Sequence, residues 1–340
     1  MQQLDYRSFE NTEHLILKTF NTPVVLLDIE TTGLSPDIST VFMIGCGYYE
    51  NDQLHTVQWL ADSLELSGEQ DVLNAFSDWL DARFSAEETI TLLTYNGCTF
   101  DIPFLKTRYQ QCNVTCPFDS FKFHTLDLYR QFQPLKSLFP IKNMKLKTLS
   151  SWLGYHPQKT PEGRQLIKAY HTYIKTQSTE EENLLFLHNR NDLEALNSLL
   201  SAYGYLYVFK GGYTIHDMPL LQENHMLFHI NPDVPLPVSI DYRANDIQMH
   251  IDRDKICLTI PLYTQGLRYY YTDYKNYIYL TREDYAVHKS MAKYINKEHW
   301  SKATQENCYT WFLPDDDFMY QKEKQTDYIQ MIFRLFGFSG

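Results

Sequence analysis

The stretch VVLLDIETTG, residues 24–33, constrains this chain more than any other. A run of apolar residues bounded by turn-forming ones reads as a strand buried on both faces. Side chains two apart on a strand share a face, so Asp28 and Glu30 point the same way. Two neighbouring carboxylates at the end of an apolar strand repel one another, and something must offset that repulsion.

The flanking sequence supplies the rest of a layer. Residues 24–29, 40–49 and 54–60 read as a three-stranded meander separated by GLSPD and END turns. Val72, Leu73, Phe76, Leu80 and Phe84 then recur at helical spacing, and 89–94 is a fourth strand. A helix from about Ile102, a strand around FKFHTLDL, a short helix LKTLSSWLG stopped at Gly154, and the helix GRQLIKAYHTYIK follow. The longest helix starts at a Thr179–Glu182 capping box. Strands and helices in this order predict an α/β fold with a mixed sheet flanked by helices. From about Lys210 the texture changes to short β-rich runs, and 17 of the 26 tyrosines lie from residue 201 onward. We expect two domains, 1–204 and 205–340, the second a tyrosine-rich, β-rich (α+β) accessory unit.

A chain with 44% hydrophobic and 21% charged residues has a globular composition. Its net charge of -12 argues against a protein that coats long duplexes, since that mode needs many phosphates neutralised by Lys and Arg. It leaves room for an enzyme that grips a short end through metals and a few local cations. No basic and apolar leader opens the sequence, and no apolar run approaches the ~20 residues of a membrane span, so a cytoplasmic protein with no membrane partner is expected. The cysteines at 46, 98, 112, 116, 257 and 308 lack metal-site spacing and read as free thiols.

Two further acidic groups follow the first. In TYNGCTFD the turn dipeptide Asn96-Gly97 places Asp101 at a strand-to-helix corner, and in HNRND His188 and Asp192 stand at i and i+4 on one helix face. If the first strand is central, Asp28, Glu30, Asp101 and Asp192 converge with one imidazole. Four such carboxylates would not all ionise in a low-dielectric site without cations. Hard oxygen donors suit Mg²⁺ or Mn²⁺, and two such ions ~3.5–4 Å apart serve phosphodiester displacement.

DIETTG, NGCTFD and HNRND, in this order, resemble the three motifs of the DEDD (DnaQ-like) exonucleases of the ribonuclease H-like fold. LKTLSSWLG and GRQLIKAYHTYI are most similar to the YprB-like branch. The resemblance covers about residues 23–200. It implies a 3′–5′ exonuclease acting on the 3′ end of a nucleic acid and releasing nucleoside 5′-monophosphates; a single-stranded 3′ end is the expected partner. Asp28, Glu30 and Asp192 would ligate a first metal, and Asp28 with Asp101 a second. His188 would orient or deprotonate the attacking water. Thr31 and Leu34 would lie against the terminal nucleotide, and Asn96 would brace the motif or touch substrate. His188 stands four residues before Asp192, the spacing usual for a tyrosine in the other branch.

Plainer roles compete. Asp101 suits a helix N-cap, His188 and Asp192 suit a solvated pair, Asp127 reads as structural, and His124 reads as an edge or core histidine. Lys142, Lys145 and Lys147 form one cationic group, and Lys289, Lys293 and Lys297 recur every four residues as a stripe. The tyrosines of GLRYYYTDYKNYIYL suit a half-buried sheet or a base-stacking platform. A nucleic-acid-binding or scaffold protein with little catalysis, and a small-nucleotide phosphodiesterase, are the other functional readings.

Overall fold

In the computed structural model, which describes residues 1–7, 20–51 and 53–338, six strands form one mixed sheet. They are β1 (Gln2–Arg7), β2 (Val24–Thr31), β3 (Val41–Glu50), β4 (Gln53–Leu60), β5 (Thr89–Thr94) and β6 (Lys122–Asp127), ordered β1-β4-β3-β2-β5-β6. β2, β3 and β4 are the expected antiparallel meander, and β5 and β6 continue parallel to β2. β1, outside the strands read from the sequence, pairs antiparallel with β4. Val24 to Leu27 are all buried, as a central strand requires.

The pairing register builds the site. Asp28 pairs with Gly45 on β3, which pairs with Gln58 on β4, so these three form one row across the sheet on one face. The next row, Ile29, Ile44 and Trp59, faces the other side, where Trp59 meets Phe76 of helix α1 (Leu66–Arg83). The first face is covered by a long helix, reached through Gln58, whose side-chain amide donates to the carbonyl oxygen of Phe186 at 2.9 Å. The sheet is thus flanked by helices on both faces, as the sequence predicts. Between Glu30 and Thr31 the β2–β3 register slips by a residue, a bulge that bends the strand after its second acid.

Four more helices matter here: α2 (Asp101–Gln111), α3 (Leu146–Trp152), α4 (Arg164–Thr176) and the long α5 (Thr179–Phe209). α5 begins one residue earlier than a Thr179 cap would place it. The Glu182 N–H donates to the Ser178 carbonyl, the first bond of the helix, so Ser178 holds the cap position and the expected capping box does not form there. α3 ends where Gly154 takes φ +94°, a left-handed conformation that suits glycine.

The chain divides into two compact units, 1–133 with 141–202, and 134–140 with 203–340. The second is antiparallel and β-rich. β7 (Tyr213–Ile215), β8 (Leu220–Gln222), β9 (His225–Pro232), β10 (Ile240–Ala244), β11 (Ile247–Ile251) and β12 (Ile256–Pro261) form a sheet ordered β10-β11-β12-β9-β7, with β8 also pairing β9. β13 (Leu267–Tyr270) pairs with a later strand, β17 (Tyr309–Phe312), while β14 (Tyr277–Leu280) lies between β15 (Tyr285–His288) and β16 (Trp300–Lys302). Phe318 packs edge to face with Phe228 and Tyr328 in its core, and Phe228 and Tyr328 meet tilted by 38°, with Tyr328 on α6 (Lys322–Leu335). All six cysteines are free. Among the described residues no helix is long and apolar enough to cross a membrane.

Candidate metal-binding carboxylate site

The strand order reverses between β2 and β5: the chain runs outward through β3 and β4 on one side and through β6 on the other. Crevices at such a switch point, beyond the carboxyl ends of parallel strands, are where α/β sheets place ligands. Asp28 and Glu30 lie at that end of β2.

Asp101 comes from the other side of the crevice. The parallel β2–β5 pairing ends at Leu26 and Leu93, and beyond it the Ile29 N–H donates to Asp101 Oδ1 at 3.3 Å. Asp101 is the first residue of α2, and Phe100 holds the N-cap position before it. The N-cap role is therefore not realised, because the carboxylate is turned to β2. The corner before it is held by Asp127, whose carboxylate accepts from the Asn96 N–H at 2.8 Å and the Cys98 N–H at 3.2 Å. Asn96 takes φ +66° there, and a Cβ at Gly97 would lie 2.5 Å from Thr94, so the Asn-Gly pair is dictated by backbone geometry. Asn96 meets Asp127 through its backbone, and Asp127 also caps the next helical turn at Tyr129. His124 is exposed on β6, outside the site.

α5 brings the third group. His188 Nε2 lies 3.3 Å from Glu30 Oε1 and 3.5 Å from Asp192 Oδ2. Ligand atoms of Glu30, His188 and Asp192 all fall within 4.8 Å of one another. The i,i+4 pair therefore faces Glu30 and is not a freely solvated pair, although Asp192 stays 38% exposed. Asp28 is outside this tightest trio, but Asp192, Glu30 and Asp101 all act on its charge.

Residues that the sequence did not single out complete the arrangement. Asn189 Nδ2 donates to Asp28 Oδ2 at 2.7 Å, while its Oδ1 accepts from Gln58 Nε2 at 2.8 Å. A Cβ on Gly45 would lie 1.9 Å from that Oδ1, so the amide needs the glycine beneath it. His188 Nδ1 shares a 2.8 Å hydrogen bond with the Thr160 hydroxyl. The Thr160 segment is held by Asn191, which donates to the Gln158 carbonyl at 3.0 Å, and by an ion pair between Glu162 and Lys147. Lys147, a member of the cationic group read from the sequence, is thus engaged with an acid. Asn189 and Asn191 carried a sequence signal, by lying inside HNRND; Gly45, Gln58 and Thr160 depend on register and packing.

The electrostatics are those of acids crowded without a partner. Burial, followed by repulsion from Asp192, Glu30 and Asp101, holds the Asp28 carboxyl well above its usual range, with Asn189 opposing. Burial, then Asp192 and Asp101, does the same for Glu30. Asp101 is pushed up to about 7, mainly by burial, against hydrogen bonds that lower it. Asp192 is also pushed up to about 7 by burial and by Glu162. Burial lowers His188 below its usual value, with Glu162 opposing. Among the described residues no lysine or arginine forms an ion pair with any of the four acids. Hard oxygen donors whose repulsion the protein leaves uncompensated fit divalent cations such as Mg²⁺ or Mn²⁺.

A cavity of about 620 Å³ opens beside them. Glu30 and His188 reach its wall, together with Thr31, Leu34, Phe100 and Arg164. Leu34 is 87% exposed, and Arg164 opens α4 as an exposed cation.

A family model of the RNase H superfamily matches residues 25–203, just over half of the chain. The chain belongs to that superfamily. No curated protein matches it. Among solved structures, it is similar to E. coli exonuclease I in complex with a dT13 oligonucleotide, at 14% identity over 61% of this chain and 55% of that one, with a TM-score of 0.33. Another is the zinc-bound E. coli exonuclease I–ssDNA complex, at 13% identity over 63% and 55%, with a TM-score of 0.31. A third, E. coli exonuclease I with a 5cy-dT13 oligonucleotide, is 9% identical over 93% and 70%, with a TM-score of 0.31. The chain spans a little over half the length of the first of these proteins. The RNase H superfamily fold of the first unit rests on the family match and the sheet topology.

Proposed function

We propose that the first unit is a metal-dependent 3′–5′ exonuclease that hydrolyses phosphodiester bonds of DNA or RNA. The observation that carries this reading is the convergence of Asp28, Glu30, Asp101 and Asp192, with no lysine or arginine ion-paired to them among the described residues, beside a nucleotide-sized cavity. The polarity and the 5′-monophosphate product follow from the resemblance of DIETTG, NGCTFD and HNRND to the DEDD motifs.

In this reading Glu30 and Asp192 hold one divalent ion with Asp28, and Asp101 joins Asp28 at a second. Bound there, such ions supply Lewis acidity to the attacking and leaving oxygens. Asn189 fixes the Asp28 carboxylate so that its remaining lone pairs face the crevice. Thr160, accepting from Nδ1–H, leaves the His188 Nε2 lone pair directed at the site. A ring kept neutral by burial is ready to take the proton of the attacking water. Phe100 and Leu34 wall the cavity as apolar supports for the terminal nucleotide, and Arg164 offers a cation for a phosphate.

Degradation of 5′-labelled single-stranded DNA and RNA oligomers with Mg²⁺, Mn²⁺ or EDTA tests the reading. A ladder shortening from the 3′ end, abolished by EDTA and by Asp28→Ala, is expected. Absence of cleavage with either polymer and either metal overturns it.

A further inference from the structure

The second unit holds a cleft of about 560 Å³ whose chemistry is the reverse of the carboxylate site. Its walls carry three cations, Lys275, Lys289 and Lys302, and three rings, Tyr274, Tyr277 and Trp300. These residues come from three separate segments brought together by β14, whose partners include Trp300 and Lys302 on β16. The sequence stripe Lys289, Lys293, Lys297 does not form. Its residues fall on two separate 3₁₀ turns, Lys289–Tyr294 and Lys297–His299, and only Lys289 lines the cleft.

The three lysines are exposed, and among the described residues none is ion-paired with a carboxylate. Lys289 Nζ donates only to the Lys275 carbonyl, at 3.4 Å. Glu298, the acid near Lys297, is paired instead with His299. In a chain with 42 acids against 30 Lys and Arg, three neighbouring lysines against one nearby acid, Asp273, are a local inversion of charge. The rings are half-buried; one face of Tyr277 is stacked on Tyr271 at 4.7 Å, so the ring surface offered to a flat ligand is the part that lines the cleft. A second cavity of this unit, about 490 Å³, also has aromatic walls, but it carries Asp315 and Asp327, and its Lys324 is paired with Asp317. Among the described residues its wall carries no unpaired cation, which separates the two clefts chemically.

We propose that the Lys275–Lys289–Lys302 cleft binds a single-stranded segment of nucleic acid, with bases stacked on its rings and phosphates on its lysines. Aromatic platforms beside a cationic groove bind single strands without strong sequence preference. The demand for an anion bearing flat rings comes from the cleft itself; choosing a nucleic acid among such anions rests on the nuclease reading of the first unit.

Fluorescence anisotropy of labelled dT20 with the full chain in EDTA tests it, with inorganic polyphosphate as competitor. The surface variant Lys289→Glu/Lys302→Glu is expected to bind at least ~10-fold more weakly and to flatten the log–log salt slope by about 1 to 1.5. Trp300→Leu, checked for an unchanged melting temperature, is expected to lose ~5-fold or more. Equal affinity of the lysine variant overturns the proposal. So does equal competition by polyphosphate per phosphate together with unchanged binding by the Trp300 variant, since the cleft is then a plain polyanion site. Dinucleotide hydrolysis with Mg²⁺ or Mn²⁺ is followed in parallel and is expected to be unchanged in the lysine variant. Lysine-dependent dT20 binding without hydrolysis of any substrate removes the nuclease reading and keeps the cleft; hydrolysis with lysine-independent binding does the reverse.

Discussion

Asn189 bridges two strands of the sheet, donating to Asp28 on β2 and accepting from Gln58 on β4 across the space above Gly45. The bridge exists only because the residue between them has no side chain. Gly45→Ala should expel the amide, since the added carbon would lie 1.9 Å from Asn189 Oδ1. We expect a loss of activity together with a lower melting temperature. Asn189→Ala should keep the fold but weaken metal binding ~10- to 100-fold, the usual cost of removing a partner that orients a ligand. Calorimetric titration with Mn²⁺ measures this, and unchanged affinity would show that Asp28 needs no orienting.

His188 should behave as a base whose ring must be neutral. Burial lowers its pKa, so the acid limb of kcat/KM against pH should have its midpoint below the ordinary value of about 6.5, with activity rising as the ring deprotonates. His188→Ala should remove that limb and cost ~10²- to 10⁴-fold in rate. Thr160→Val should cost less, since it removes only the hydroxyl that fixes the ring. A limb that persists in His188→Ala would assign it to another group.

The acids should make the metal-free protein pH-sensitive. Asp101 and Asp192 have folded pKa values of about 7 against an ordinary 3.8, so the unfolded chain releases their protons first. Their contribution to stability is full below about 4 and is lost as pH rises through about 7. In EDTA, Asp28→Asn should therefore melt higher than the wild type at pH 8, with the gap closing toward pH 5. Mg²⁺ or Mn²⁺ should raise the wild-type melting temperature more at pH 8 than at pH 5. Thermal scans across this range decide it; a gap independent of pH would mean that the repulsion is relieved in another way.

α2, which carries Asp101, is tied down by a buried ion pair. Arg108 donates to both oxygens of Glu69, at 2.8 and 2.7 Å, and Glu69 also accepts from the Val41 N–H. Glu69→Ala should cost ~3–5 kcal/mol by stranding the guanidinium. Urea unfolding measures it, and a loss below about 1 kcal/mol would show that Arg108 finds other partners.

The sequence pattern revealed the acids because each sits where local chemistry announces it: at the end of an apolar run, after an Asn-Gly turn, and at i and i+4 on a helix. Gln58 and Gly45 gave no such signal. Their meaning depends on a strand register that brings Asp28, Gly45 and Gln58 into one row, and register is a property of the assembled sheet. Thr160 and Arg164 were hidden for a related reason: they reach the site only once the segment before α4 is folded over α5. The lysine stripe failed because its four-residue period presupposed an α-helix, where the chain instead forms two 3₁₀ turns.

The bulge between Glu30 and Thr31 divides one short stretch of chain into parts with different freedoms. Up to Glu30, any slip in pairing would send both acids to the wrong face. From Thr31 onward that obligation ends, and Thr31 to Leu34 become cavity wall. On the nuclease reading proposed above, the residues set against the substrate could therefore change without disturbing the acids just before them, and specificity and catalysis could be altered separately within a single motif.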